Sequence, residues 1–207
     1  MNTAEFSVRE DDGVVLLTLN SDDGLNRLTL AKIIALTHTI ARLAGSGTPL
    51  PLIITGQKNF STGADLNEIA RLSGAAALQF SKAGQKLMNA IAEYPARVSA
   101  AINGYCMGGG LDLALACRYR VGSPHAVLGH RGAALGLITG WGGTQRLPRI
   151  VGKARALQMF MAAEKLHASE ALKIGLLDEV AVDPTSKARH RCLPGQPLSN
   201  VQLRHRS

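Results

Sequence analysis

Two stretches of the chain put small residues and carboxylates where backbone amides can do chemistry. Residues 59–68 read NFSTGADLNE, and residues 106–116 read CMGGGLDLALA. Each follows an apolar run that reads as a buried strand, PLIIT at 51–55 and VSAAI at 98–102, and each leads into a helical segment. Glycine costs a helix about 1 kcal/mol relative to alanine, so three in a row at a helix entrance need a reason. The first turn of a helix carries unpaired N–H groups and the positive end of the dipole, and glycine lets a ligand approach the backbone closely. Two such ends aimed at one point would hold an oxygen that becomes negative during a reaction. The stretch CMGGGLDLA fits neither GxxxxGK[ST] nor GxGxxG, which sets a phosphate loop aside. Asp112 is the one acid inside the second helix; it is either a proton-transfer group or an ordinary acid favoured by the helix dipole.

These junctions sit in an alternation of strands and helices. Residues 6–9 and 13–19 read as two strands joined by the turn DDG. Ile33, Leu36, Ile40 and Leu43 recur at helical spacing in 29–44. Asp65 followed by Glu68 is a capping-box pattern that starts a short helix. A longer helix over 75–93 is stopped by Tyr94-Pro95. Beyond the second junction, strands are expected at 118–122 and 126–129. A Gly-rich loop at 129–143, helices near 144–150, 153–163 and 169–174, and a strand at 179–182 follow. This order predicts a layered α/β fold.

The chain has 207 residues, 46% of them hydrophobic and only 4% aromatic, which suits one domain with a core of Ala, Leu, Ile and Val. No apolar run is long enough for a membrane span, and MNTAEFSVRE lacks the basic and apolar regions of a secretory signal, so a cytoplasmic location is expected. Cys106, Cys117 and Cys192 show no metal-ligand spacing and read as free thiols of a reducing compartment. The net charge is +8, but the last 25 residues hold five of the 23 basic residues and one of the 15 acids. The body at 1–182 is therefore mildly basic, which suits a small anionic ligand and does not call for nucleic acid. Residues 183–207, with three prolines, show no helical or strand period. They read as a basic, disordered tail or as the product of a truncation or frame change.

The motifs NFSTGADLNEI, AAINGYCMGGGLDLALACRYRV and GLITGWGGTQRLPRIVGKARA resemble those of the enoyl-CoA hydratase/isomerase (crotonase) superfamily, from about residue 6 to 182. The resemblance implies a spiral of ββα units whose later helical part is truncated or altered here. It further implies an acyl-coenzyme A thioester substrate, no cofactor beyond that CoA, and a homotrimer or hexamer. By motif position, the Ala64 and Gly109 N–H groups would stabilise a thioester enolate. Asp65, Leu66 and Asn67 would line the acyl-CoA site, as would Leu25 and Arg27 of the LNRL segment, Gly132 and Trp141. Arg27 is either a phosphate contact or a solvated side chain, and Trp141 reads as a packing or pocket-wall residue.

The family's hydratases use two carboxylates. The first falls on Asp112, one methylene shorter than the usual Glu, and the second on Gly132, which cannot transfer a proton. The resemblance extends to members that lack this Glu and use a bound anion or water; Gly132 is expected to leave room for one, with His130 and Arg131 beside it. A dienoyl-CoA isomerase shares the GGGxDL pattern but needs further acids in the 129–143 loop, where none is present. The expectation is hydration or isomerisation of an enoyl-CoA. An acyl-CoA decarboxylase or hydrolase, or a catalytically impaired acyl-CoA-binding protein, is the alternative.

Overall fold

The computed structural model describes residues 5–192. Strands β1 (Phe6–Asp11) and β2 (Val14–Leu19) form the expected hairpin, turned by Asp12 and Gly13, both at positive φ. Helix α1 (Leu30–Ala44) is capped by the Thr29 hydroxyl, which accepts from Lys32 N–H. Next come β3 (Leu52–Gly56), the short α2 (Leu66–Ile69), α3 (Gly74–Ala92) and β4 (Val98–Ile102). Then follow β5 (Tyr105–Met107), α4 (Gly109–Ala116), β6 (Tyr119–Gly122), β7 (Val127–Gly129) and a 3-10 turn at Gly132–Leu135. The remainder is α5 (Gly143–Val151), α6 (Lys153–Ala162), β8 (Leu166–His167), α7 (Ala168–Lys173), β9 (Glu179–Val180) and α8 (Pro184–Cys192).

Six strands make the main sheet in the order β1-β2-β3-β4-β6-β9, parallel except for the β1–β2 hairpin. A second sheet orders β5-β7-β8, with β5 and β7 parallel. The middle turns of the chain contribute first to the main sheet and then to the second, β4 then β5 and β6 then β7, whereas β8 of the second sheet precedes β9 of the main one. The bridges Ser61–Cys106 and Leu28–Ala64 continue the second sheet through the earlier turns. This is the spiral of ββα units that the motifs implied.

The central strands LIITG and VSAAI are buried along their whole length because the sheet is covered on both faces. On one face Leu52, Ile54, Ala100 and Ile102 join the main core under α1 and α3. On the other, Ile53, Ala101 and Val121 pack against Ala188 and Cys192 of α8.

Helix α8 corrects the reading of 183–207 as a tail without regular structure. Residues 184–192 form a helix on the outer face of β3, β4 and β6; residues 193–207 lie outside the described residues. The Asp183 carboxylate accepts from Ser186 N–H, and Pro184, Ala188 and Cys192 are buried at four-residue spacing along one face. The basic residues between them find acids. Arg189 pairs with Asp11 at 2.7 Å, while Lys187 and Arg191 share Glu179 at 2.6 and 3.1 Å. Burial alone would push the Glu179 carboxyl up, but hydrogen bonds from Lys187, Arg191 and Tyr119 outweigh it and hold it below the usual value.

Candidate active site

The two glycine junctions meet backbone to backbone. Gly63 has φ +95°, and a Cβ there would lie 2.7 Å from Met107 O and 2.9 Å from Gly109 N. A Cβ on Gly110 would lie 2.5 Å from Ser61 O. The glycines are thus required by close approach of the loops. Gly108, at φ +52°, faces open space and allows the sharp entry into α4.

The surroundings hold the loops together without using the two amides of interest. Leu28 N–H donates to Gly63 O at 2.9 Å and Asp65 N–H to Leu28 O at 3.3 Å. In that parallel bridge the N–H of the residue between, Ala64, points away from Leu28. Gly108 N–H donates to Gly129 O. Gly109, the next residue, opens α4, so its N–H has no acceptor within the helix, and no side chain caps this end. Asn26, at φ +51°, ties the first junction down: its amide donates to Asn59 O at 2.8 Å, and its carbonyl accepts from Ser61 Oγ at 2.7 Å.

Asp65 caps α2 as expected, accepting from Asn67 and Glu68 N–H. Glu68 does not close a capping box on Asp65; its carboxylate accepts from Leu30 N–H at the start of α1, joining two helix entrances. Leu66 and Asn67 are exposed beside the junction. Leu25 O accepts from both the N–H and the hydroxyl of Thr62. Arg27 is half-exposed and paired with Asp23, whose carboxyl is lowered to about 2 by hydrogen bonds from Leu25 N–H, Ser21 and Arg27.

Trp141 lies against Gly109. A Cβ on Gly109 would come within 2.1 Å of the indole, and one on Gly84 of α3 within 2.2 Å. With Phe80 tilted against it at 5.3 Å, the indole is wedged between α3 and α4 and is 4% exposed.

Asp112 faces away from solvent, 1% exposed. Its Oδ2 accepts from the Thr139 hydroxyl. Its Oδ1 lies 3.2 Å from His130 Nε2, out of line for a hydrogen bond, so both atoms are buried without a hydrogen-bond partner. His130 is 3% exposed with its ring on Phe160, whereas Arg131 points outward. The structure therefore separates two residues that the sequence placed together. Neither Thr139 nor the His130–Asp112 contact was foreseen.

Gly132 does not leave room for an anion or water in the direction of a side chain. A Cβ there would lie 2.6 Å from Leu137 O, because Leu137 N–H donates to Gly132 O and closes a turn. The expected gap is filled by backbone.

Comparison with known proteins agrees with this fold. The sequence profile of the enoyl-CoA hydratase/isomerase family matches residues 9–194. Crotonyl-CoA hydratase of Syntrophomonas wolfei subsp. wolfei is 32% identical over 198 residues, 95% of this chain and 76% of that one. Short-chain-enoyl-CoA hydratase of Clostridium acetobutylicum is 34% identical over 181 residues, 86% of this chain and 69% of that one. The crystal structure of the enoyl-CoA hydratase from Bacillus anthracis superposes with a TM-score of 0.86 at 33% identity, over 91% of this chain and 75% of that one. The profile match over most of the chain and these relatives show that the chain belongs to the enoyl-CoA hydratase/isomerase family.

Proposed function

We propose that the protein transforms enoyl-CoA thioesters by hydration or isomerisation, through an enolate held by the Ala64 and Gly109 N–H groups, with Asp112 moving the proton. The observation that carries this reading is the crossing itself. Two loops packed at backbone distance each leave one amide out of their internal hydrogen bonding. A thioester oxygen bound between them gains most as negative charge develops on it, which lowers the barrier selectively. The matched crotonyl-CoA and short-chain-enoyl-CoA hydratases support the substrate class.

The chemistry needs no cofactor beyond the CoA of the substrate. Three buried free cysteines fit a reducing, cytoplasmic setting. No helix among the described residues is long and apolar enough to cross a membrane. Leu157 and Met161, 62% and 74% exposed on α6, support association into a homotrimer or hexamer, which sedimentation analysis tests.

The direct test is product analysis with crotonyl-CoA and a 3-enoyl-CoA. A 3-hydroxyacyl product from the first identifies hydration, and a 2-enoyl product from the second identifies isomerisation. Asp112→Asn is expected to lower kcat by about 10²-fold or more. Turnover of neither substrate by the wild-type protein overturns the reading. Thioester binding without turnover moves the protein to the acyl-CoA-binding alternative.

A further inference from the structure

The buried pair Asp112 and His130 joins two polar atoms that each lack a hydrogen bond. Asp112 Oδ2 is held by Thr139, so the unmet demand falls on Oδ1 alone, 3.2 Å from His130 Nε2. A buried carboxylate oxygen without a donor is costly, and so is a buried ring nitrogen without a partner. One proton on Nε2, with a small turn of the ring into line, satisfies both. The surroundings confine the pair to this solution. Phe160 backs the imidazole at 5.2 Å. Gly143, the first residue of α5, closes the third side, since a Cβ there would lie 2.1 Å from Oδ1 and 2.9 Å from Nε2. The Arg146 guanidinium of α5 and the Cys106 thiol of β5 also feel the Asp112 charge, which favours the charged guanidinium and disfavours a thiolate.

We infer that His130 is the positioning residue of Asp112, its Nε2–H fixing Oδ1 so that the carboxylate presents a defined lone pair to the acyl chain. This rests on the thioester reading above and extends it, because it supplies a partner for Asp112 where Gly132 supplies none. The pair works without a co-reactant. Asp112 takes a proton from the carbon next to the thioester, the electron pair of that C–H bond passes to the thioester oxygen, and the carboxyl, once its proton has exchanged with solvent, returns a proton or deuteron to the same carbon as the electron pair comes back. His130 keeps its proton throughout and holds the carboxyl in register.

Two measurements test this, one independent of turnover. Nitrogen-15 NMR of the imidazole is expected to show His130 protonated at Nε2, with the signal moved in Asp112→Asn; an unprotonated Nε2 overturns the pairing. The second is exchange of the α-protons of butyryl-CoA in deuterium oxide. His130→Phe keeps a flat ring and removes the donor, and it is expected to slow exchange on the order of 100-fold at nearly unchanged KM. His130→Gln, which offers an amide N–H, should restore part of the rate, and it serves alone if the Phe variant fails to fold. A wild-type rate in His130→Phe, or in His130→Gln where that variant serves alone, overturns the inference. No exchange in the wild type, with the Nε2–H signal in place, overturns the thioester reading while supporting the pairing.

Discussion

The junction of Gly63 with Gly109 and the loop from Gly129 to Gly143 meet at the start of α4, where Trp141 lies against Gly109, yet they are built on opposite terms. The junction offers main-chain groups and excludes side chains: at Gly63 and Gly110 an added Cβ meets backbone, and at Gly109 it meets the indole of Trp141. The loop offers side chains, His130 and Thr139, converging on Asp112. A backbone site is indifferent to which residues surround it provided nothing bulky intrudes. A side-chain site depends on each identity, and its members can be exchanged one at a time. The missing carboxylate at Gly132 falls in the second kind of region, where replacement is possible without touching the first.

The widest gap between the two regions should appear at Gly109. Gly109→Pro removes the N–H and is expected to abolish measurable turnover of an enoyl-CoA, whereas Gly109→Ala keeps the N–H while sharing the clash of its Cβ with the buried Trp141. The difference in kcat between the two isolates the amide, about 10²–10³-fold for one donor; equal rates in folded variants would refute its role.

Gly143→Ala probes the loop side. Its Cβ enters the space of Asp112 Oδ1, so a stability loss of about 1–3 kcal/mol by chemical denaturation should accompany a fall in kcat. Gly132→Glu asks whether the family's second carboxylate can be restored. With Leu137 O 2.6 Å from the Cβ position, the expected outcome is lost stability, again about 1–3 kcal/mol, and no gain in hydration rate. A rise in hydration rate would show that the loop re-forms around a carboxylate. The smallest effect belongs to Arg27→Ala, whose half-exposed side chain pairs with Asp23. A two- to five-fold rise in KM for acyl-CoA with unchanged kcat is the order expected for a single exposed phosphate contact, against no change for a solvated side chain.

The same contrast explains what could be read from sequence. Strands β3 and β4, helices α1 and α3, and both glycine junctions were legible because burial on two faces, helical spacing and small residues leave one-dimensional marks. The three-residue β5 and two-residue β8 carry no period and exist only because β7 lies between them. Helix α8 did have a mark, Pro184, Ala188 and Cys192 at intervals of four after a capping Asp183, but basic residues hid it. The contact of Asp112 with His130 spans 18 residues and is set by tertiary packing. Gly132 was misjudged because a glycine reads the same in sequence whether solvent or a carbonyl occupies the side-chain direction.

The indole wedged between Gly84 and Gly109 has a practical consequence. Trp141 is the only tryptophan in the chain, so the intrinsic fluorescence of the protein comes from a ring in contact with the residue proposed to bind the thioester oxygen. Emission therefore serves as a built-in optical probe of the crossing, reporting acyl-CoA arrival in a titration without any label.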